Sequence, residues 1–135
     1  SVIKKLLDAG AQVFAFDLNK ESLQKVHAEF PGFIPLERVE AKPYDVVVNC
    51  TGVGMHRTEG VSPVGADVLS LCSAAVDLIY VPAKSEFLRI AESCGKKIVN
   101  GEAMLFYQAY FSDCIYLGAE PSDEEAGGLF AKYKE

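Results

Sequence analysis

The sequence has no long hydrophobic run: no window approaches the roughly 18 consecutive apolar residues of a membrane span. Its first residues lack the basic, apolar and small-residue succession of a secretory signal peptide. A net charge of -6, with lysines scattered along the chain and not gathered into a stripe, disfavours a nucleic-acid partner. We therefore expect a soluble, cytoplasmic protein that binds neither membranes nor nucleic acids.

Metal-ligand patterns are also missing. The four cysteines stand about twenty residues apart, with no C-x-x-C pair and no histidine at ligand spacing. His27 falls in a polar helical stretch and His56 in a loop. We predict reduced, mostly buried thiols and no metal site.

The chain does contain enough apolar material for one core, since 50% of its 135 residues are hydrophobic. Short apolar runs rich in β-formers alternate with segments of helical periodicity. The predicted strands span residues 12–16, 33–36, 45–50, 74–80 and 97–99, and the predicted helices span 1–9, 20–30, 67–71, 82–94 and 102–117. Residues 119–135 form a polar tail with room for a short helix.

This alternation predicts a single α/β domain over residues 1–135, a Rossmann-like, doubly wound parallel sheet flanked by helices. Ligands of such sheets bind beyond the carboxyl ends of the strands. A dinucleotide-binding domain starts with a strand and a glycine-rich turn for the pyrophosphate, whereas this chain opens inside a helix. We expect that first strand and glycine loop to be lacking here, which bares a sheet edge and favours a homodimer or disorder near Ser1.

A carboxylate ends the first predicted strand, in the segment Asp17-Leu18-Asn19. In dinucleotide-binding units an acidic residue at this place accepts hydrogen bonds from the ribose diol. Aspartate is also common in ordinary turns after strands. The position alone therefore leaves a cofactor contact and a plain turn both open.

Three further motifs follow predicted strand ends. Small residues that allow close backbone approach come first, then a tyrosine and a proline, then a glycine that opens a long helix. The segments are Asn49-Cys50-Thr51-Gly52-Val53-Gly54-Met55, then Asp77-Leu78-Ile79-Tyr80 with Pro82, then Asn100-Gly101-Glu102-Ala103-Met104-Leu105 with Gln108. Taken singly, each also has a purely structural interpretation as a turn or a satisfied polar group.

In this order and spacing the three motifs resemble the shikimate dehydrogenase family, from Ser1 to about Gly118. The family has N-A-T-S-x-G-M-like, D-x-x-Y-x-P and N-G-x-x-M-L-x-x-Q segments, a substrate domain that holds the catalytic lysine and aspartate, and a Rossmann-type cofactor domain. The resemblance covers only the cofactor domain. It implies no catalytic residue in this chain.

The resemblance also implies which residues bind ligands. Those expected at the cofactor are Thr51, Gly52 and Val53 on the adenosine side, and Leu78, Gly101 and Met104 near the nicotinamide, with Asp17, Leu18 and Asn19 at the ribose. Tyr80 and Gln108 are expected to bind the substrate's polar groups without transferring protons.

Two departures from the family pattern stand out. Most members carry an arginine for the 2′-phosphate of NADP where this chain has Asp17-Leu18-Asn19, and a carboxylate would repel that phosphate. We therefore predict that NAD is preferred over NADP, with Lys20 as a partial offset. Ala103 stands where the family commonly has a second glycine in the third motif. We expect its methyl group to narrow the space beside the nicotinamide.

The function implied by the resemblance is the interconversion of 3-dehydroshikimate and shikimate in aromatic amino-acid biosynthesis. We expect the isolated chain to be inactive, because the proton-transfer groups belong to the other domain. Two alternatives stay open: an NAD-dependent quinate or dual-specificity dehydrogenase, and a non-catalytic module that keeps the scaffold. The retained Tyr80 and Gln108 argue against the last.

Overall fold

A computed structural model describes residues 1–134, which form two compact units: residues 1–40, and the described residues from Ala41 onward. Both units pair parallel strands with helices, so the prediction of an α/β fold is confirmed. No helix in the described part of the chain is long and apolar enough to cross a membrane. Within the same residues, no group of three or more histidine, cysteine or acidic side chains is arranged to hold a metal ion.

The first unit is a small βα arrangement. Its helices are α1 (Val2–Asp8) and α2 (Lys20–Glu29), and its parallel strands are β1 (Phe14–Ala15) and β2 (Ile34–Pro35). The core rests on Val13 and Phe33, and the His27 ring meets the Phe33 ring edge-on with centroids 5.0 Å apart. His27 is thereby explained as a packing residue.

The second unit contains a three-stranded parallel sheet in the order β3-β4-β5. Its first elements are β3 (Tyr44–Asn49), a 3₁₀ turn (His56–Thr58), α3 (Ala66–Leu69), β4 (Cys72–Asp77), α4 (Glu86–Ser93) and β5 (Lys97–Val99). Residues of α3, β4 and α4 form the core: Leu69, Cys72, Ala75, Phe87, Leu88 and Ala91. Burial raises the pKa of the Cys72 thiol, so this cysteine is an inert core residue.

Two antiparallel helices end the chain, α5 (Glu102–Leu117) and α6 (Asp123–Tyr133). Aromatic rings fill their contact, with the Phe106 and Phe130 centroids 5.1 Å apart. The Tyr110 hydroxyl donates to the Glu125 carboxylate at 2.8 Å and accepts from the Ser122 backbone N–H at 3.1 Å. This phenol thus holds the start of α6 against α5.

Several predicted boundaries differ from the structure. β4 begins and ends earlier than predicted, because the Asp77 side chain accepts the Ile79 N–H and ends the extended run. α4 starts at Glu86 and not at Pro82, because Ser85 is its N-cap. The polar tail contains an 11-residue helix, which aromatic contacts with α5 stabilise.

Raising the pH tests the hydrogen bond from the Tyr110 hydroxyl on α5 to the Glu125 carboxylate on α6. The Ser122 N–H lowers the pKa of Tyr110, but desolvation of the phenol and the neighbouring Glu125 carboxylate outweigh it and raise the pKa to about 12. Because a free tyrosine titrates at about pH 10, the stabilising bond is complete below that pH and is lost as the pH rises towards 12. We expect helical circular dichroism to fall over this range, and Tyr110→Phe to show the reduced signal already at neutral pH.

The matched control is Tyr116→Phe, at a phenol that is 86% exposed near the end of α5. Its pH profile should follow that of the unmodified chain. Identical profiles for the unmodified chain and Tyr110→Phe would contradict the assignment.

Candidate functional site

The carboxyl ends of β3 and β4 lie side by side because the strands are parallel and Asn49 pairs with Asp77 in the register. β5 continues the sheet, with Val99 paired to Val76, so that Asn100 and Gly101 come directly after its end. Three loops therefore leave the sheet from one edge. This is the edge at which open α/β sheets bind ligands.

The Asn49 side chain organises the first loop and is only 3% exposed. Its Oδ1 accepts two hydrogen bonds from Thr51, from the backbone N–H at 3.0 Å and from the hydroxyl at 2.7 Å. Its Nδ2 donates to the Val53 carbonyl at 3.1 Å and to Asp77 Oδ1 at 3.1 Å. One amide therefore fixes the path of the loop from Thr51 to Val53.

A second anchor lies further along the same loop. The Gly54 N–H donates to the Thr58 hydroxyl oxygen at 3.0 Å, and the same hydroxyl lies 3.1 Å from the Gly52 carbonyl oxygen. Gly54 is buried with φ +108°, and a Cβ there would meet the Ser85 Cβ at 3.3 Å. A glycine is therefore required at this position.

The Asp77 carboxylate is fully buried and accepts from three donors. Oδ1 accepts from Asn49 Nδ2 and from the Ile79 N–H at 3.0 Å, and Oδ2 accepts from the Ser85 hydroxyl. Ser85 in turn accepts from the Leu88 N–H at 3.4 Å, at the start of α4. Asp77 thus links both loops to a helix terminus.

The third loop closes against the second by direct backbone contact. The Gly101 N–H donates to the Ile79 carbonyl at 3.0 Å. An added Cβ at Gly101 would overlap the Leu78 carbonyl group, at 2.5 Å from its carbon atom. Asn100 completes the junction by donating to the Ala83 carbonyl at 3.0 Å and accepting from the Glu102 N–H at 3.2 Å.

Most of the predicted site residues belong to this edge of the second unit. Tyr80 follows the second loop with 44% of its surface exposed, and Met104 and Gln108 are exposed one helical turn apart on α5. The loops themselves contribute Thr51, Gly52, Val53, Leu78 and Gly101. Their roles in binding stay predictions.

The other predicted residues belong to the first unit. Asp17 Oδ1 accepts the Asn19 N–H at 2.8 Å, Asn19 Oδ1 accepts the Ser22 N–H at 3.0 Å as the N-cap of α2, and Leu18 is 88% exposed. Lys20 pairs with Glu37 at 3.0 Å. One Asp17 oxygen therefore serves a local turn, and the expected contacts of Asp17, Leu18 and Asn19 with the ribose stay predictions.

Sequence reasoning assigned no role to Asn49, Asp77, Ser85 or Thr58. The signal for the first two was present: each is a polar residue that directly ends an apolar strand, where its side chain meets its counterpart in the register. Ser85 carries the ordinary signature of an N-cap before an acidic first turn. Thr58 was missed because its hydroxyl contacts the backbone of Gly52, Gly54 and Met55 only in the folded loop.

The strands are parallel, and the three loops after β3, β4 and β5 leave one edge of the sheet, with glycines in the first and the third. These features define an α/β domain of the Rossmann-like, nucleotide-binding class. Comparison with known proteins gives the particular family. The chain is 33% identical over 116 residues to the NADP-dependent shikimate dehydrogenase of Ignicoccus hospitalis, covering 82% of this chain and 42% of that protein. It is 38% identical over 101 residues to that of Caldicellulosiruptor bescii, covering 71% and 35% respectively.

Two solved structures of shikimate dehydrogenases match the fold of nearly the whole chain. The chorismate mutase/shikimate 5-dehydrogenase fusion protein of Clostridium acetobutylicum matches 98% of this chain and 49% of its own, with a TM-score of 0.83 at 34% identity. Shikimate 5-dehydrogenase of Thermus thermophilus, solved with NADP(H) and shikimate, matches 90% and 46%, with a TM-score of 0.74 at 28% identity. No protein-family model matches the chain.

These comparisons confirm the resemblance to the shikimate dehydrogenase family, and the chain is homologous to the nucleotide-binding part of its members. The chain spans less than half the length of each relative quoted above.

The predicted preference for NAD is wrong on the same comparisons. The curated relatives are NADP(+) enzymes, and the Thermus thermophilus relative was solved with NADP(H). The prediction treated the Asp17 carboxylate as a group free to face a ribose. In the structure one of its oxygens accepts the Asn19 N–H, a contact within the turn that the prediction did not include.

Gly101→Ala tests the contact between the second and third loops. A methyl group that overlaps the Leu78 carbonyl forces one backbone segment to move, and we expect a loss of about 3 kcal/mol in the free energy of unfolding. Gly52→Ala is the control, because a Cβ at Gly52 meets nothing within 4 Å. The measurement is the urea concentration at the midpoint of unfolding for both variants. Equal midpoints for Gly101→Ala and Gly52→Ala would contradict the close contact at Gly101.

Proposed function

We propose that the protein containing this chain is an NADP-dependent shikimate dehydrogenase, and that this chain is its cofactor-binding part. The observation that carries the proposal is the edge formed by three loops, in which the second is hydrogen-bonded to the first and to the third, with Tyr80 exposed in the second loop and Gln108 exposed on α5. The names and bound ligands of the relatives support the cofactor and the substrate class.

The residues of the edge fit a dinucleotide with flat rings. The backbone at Gly52 is open to solvent, Val53 is half-buried, and Met104 offers an exposed apolar side chain. These groups favour stacking and close backbone approach, whereas the loops from Thr51 to Val53 and from Leu78 to Tyr80 contain no cation for a phosphate. We propose that the groups that bind the pyrophosphate, and the groups that transfer the proton, lie in the parts of the relatives that this chain does not span.

The role of this chain is to bind and orient. The nicotinamide supplies hydride chemistry when bound, and the protein's task is to hold it against the carbon that bears the reacting hydroxyl. Rigid loops serve that task because misplacement of a reacting group by about 1 Å costs about a hundredfold in rate. Tyr80 and Gln108 can hydrogen-bond the substrate's polar groups from this side.

The protein as encoded should reduce NADP in the presence of shikimate, followed by the absorbance of the reduced nicotinamide, and should turn over quinate less efficiently. The isolated 135-residue chain should show no turnover. Higher kcat/KM with quinate would overturn the substrate assignment. Turnover by the isolated chain would overturn the division of roles.

Removing single polar groups tests the two proposed substrate contacts. Tyr80→Phe and Gln108→Ala each delete a hydrogen bond worth about 0.5–1.5 kcal/mol, so KM for shikimate should rise about two- to tenfold while KM for NADP stays unchanged. Tyr116→Phe removes an exposed phenol without a proposed contact and should leave both constants unchanged. A rise in KM for NADP alone would place these side chains at the cofactor instead.

A further inference from the structure

Asp77 is the only carboxylate among residues 1–134 that is fully buried, and the proposed function gives it no contact with a ligand. A buried carboxylate is costly unless its oxygens are hydrogen-bonded. Here all three partners are donors: Asn49, Ile79 and Ser85. Each donor belongs to a segment that leaves the ligand-binding edge.

The chemistry of a carboxylate imposes a direction on the Asn49 amide. The two ends of an asparagine amide have nearly the same shape, but only the NH₂ end donates, and an ionised carboxylate only accepts. Asp77 therefore requires that Nδ2 of Asn49 face it, at 3.1 Å. The amide oxygen is then left facing Thr51, whose backbone N–H and hydroxyl both donate to it.

The same carboxylate fixes the second loop independently of Asn49. Its Oδ1 also accepts the Ile79 N–H at 3.0 Å, two residues after the strand, and Ile79 in turn accepts the Gly101 N–H. The turn that carries Tyr80 is therefore tied to Asp77 on one side and to the third loop on the other.

We propose that Asp77 is the positioning residue of this edge: it orients the Asn49 amide, through which it sets the loop from Thr51 to Val53, and it fixes the turn before Tyr80. The consequence for cofactor affinity rests on the proposed function. The control of loop geometry does not.

Asp77→Asn tests the proposal because the two side chains are isosteric. Asparagine has only one acceptor oxygen for the three donors, and its NH₂ group can also face the Asn49 amide, so the direction of that amide is no longer imposed. In the full chain we expect the amide protons of Thr51, Val53 and Ile79 to exchange at least about tenfold faster by NMR, while those of β5 keep their protection. In the protein as encoded, the Kd for NADP should rise about tenfold.

Ile98→Val is the matched control, since Ile98 packs against the same core from β5 without touching the network. It should leave loop exchange and the Kd for NADP unchanged. If Asp77→Asn accelerates exchange uniformly, or leaves the loop amides unchanged, Asp77 is an ordinary core residue and the proposal is overturned.

A double-mutant cycle with Asn49→Ala tests whether Asp77 acts on the first loop through the Asn49 amide. Because Asp77 acts on Thr51 and Val53 through Asn49, Asp77→Asn should have no added effect on those two amides in the Asn49→Ala background, while its effect on Ile79 persists. Additive effects on Thr51 and Val53 would overturn the route. If Asp77→Asn does not fold, Asn49→Ala alone still decides, since unchanged protection of Thr51 and Val53 contradicts the proposal.

The two proposals fail separately. If the unmodified protein binds no NADP, the proposed function is wrong, and the exchange measurements still decide the role of Asp77. If the loop loosens as expected but the Kd for NADP stays the same, the claimed link between this loop and cofactor affinity is wrong.

Discussion

The hydrogen bond from the Asn49 amide to the Asp77 carboxylate, at 3.1 Å, connects two buried polar groups at the ends of neighbouring strands. Since the two residues are paired in the register, this side-chain bond continues the ladder of the sheet by one further step. The loops after β3 and β4 therefore start from a common fixed point. Their geometry depends on the sheet and not on the loops' own weak preferences.

The sequence predicted the α/β class because apolar runs and helical periodicities are local signals, and β3, β4, β5 and α5 lie close to their predicted positions. The ends of these elements were less predictable. β4 stops where the Asp77 side chain takes over a backbone N–H, and α4 starts where Ser85 caps it, so both boundaries depend on side chains that meet only after folding. α6 was underestimated because its apolar partners lie on α5.

The same distinction applies to the edge where the three loops leave the sheet. The motifs around Thr51, Tyr80 and Gly101 were visible as small, aromatic and glycine residues after strands. The network that aligns them was not, because Asn49, Asp77 and Ser85 are far apart in sequence. The cofactor preference went wrong for a related reason: the charge of Asp17 was considered without the N–H group that it binds.

The aromatic contact between α5 and α6 determines what intrinsic fluorescence can report. The chain has no tryptophan and six tyrosines, so its ultraviolet emission comes from tyrosine alone. Four of the six, Tyr107, Tyr110, Tyr116 and Tyr133, belong to α5 and α6, whereas Tyr80 follows β4 at the edge where the loops leave the sheet. The emission signal therefore reports mainly on the helical pair, and a tryptophan placed near Tyr80 would be needed to observe the edge itself.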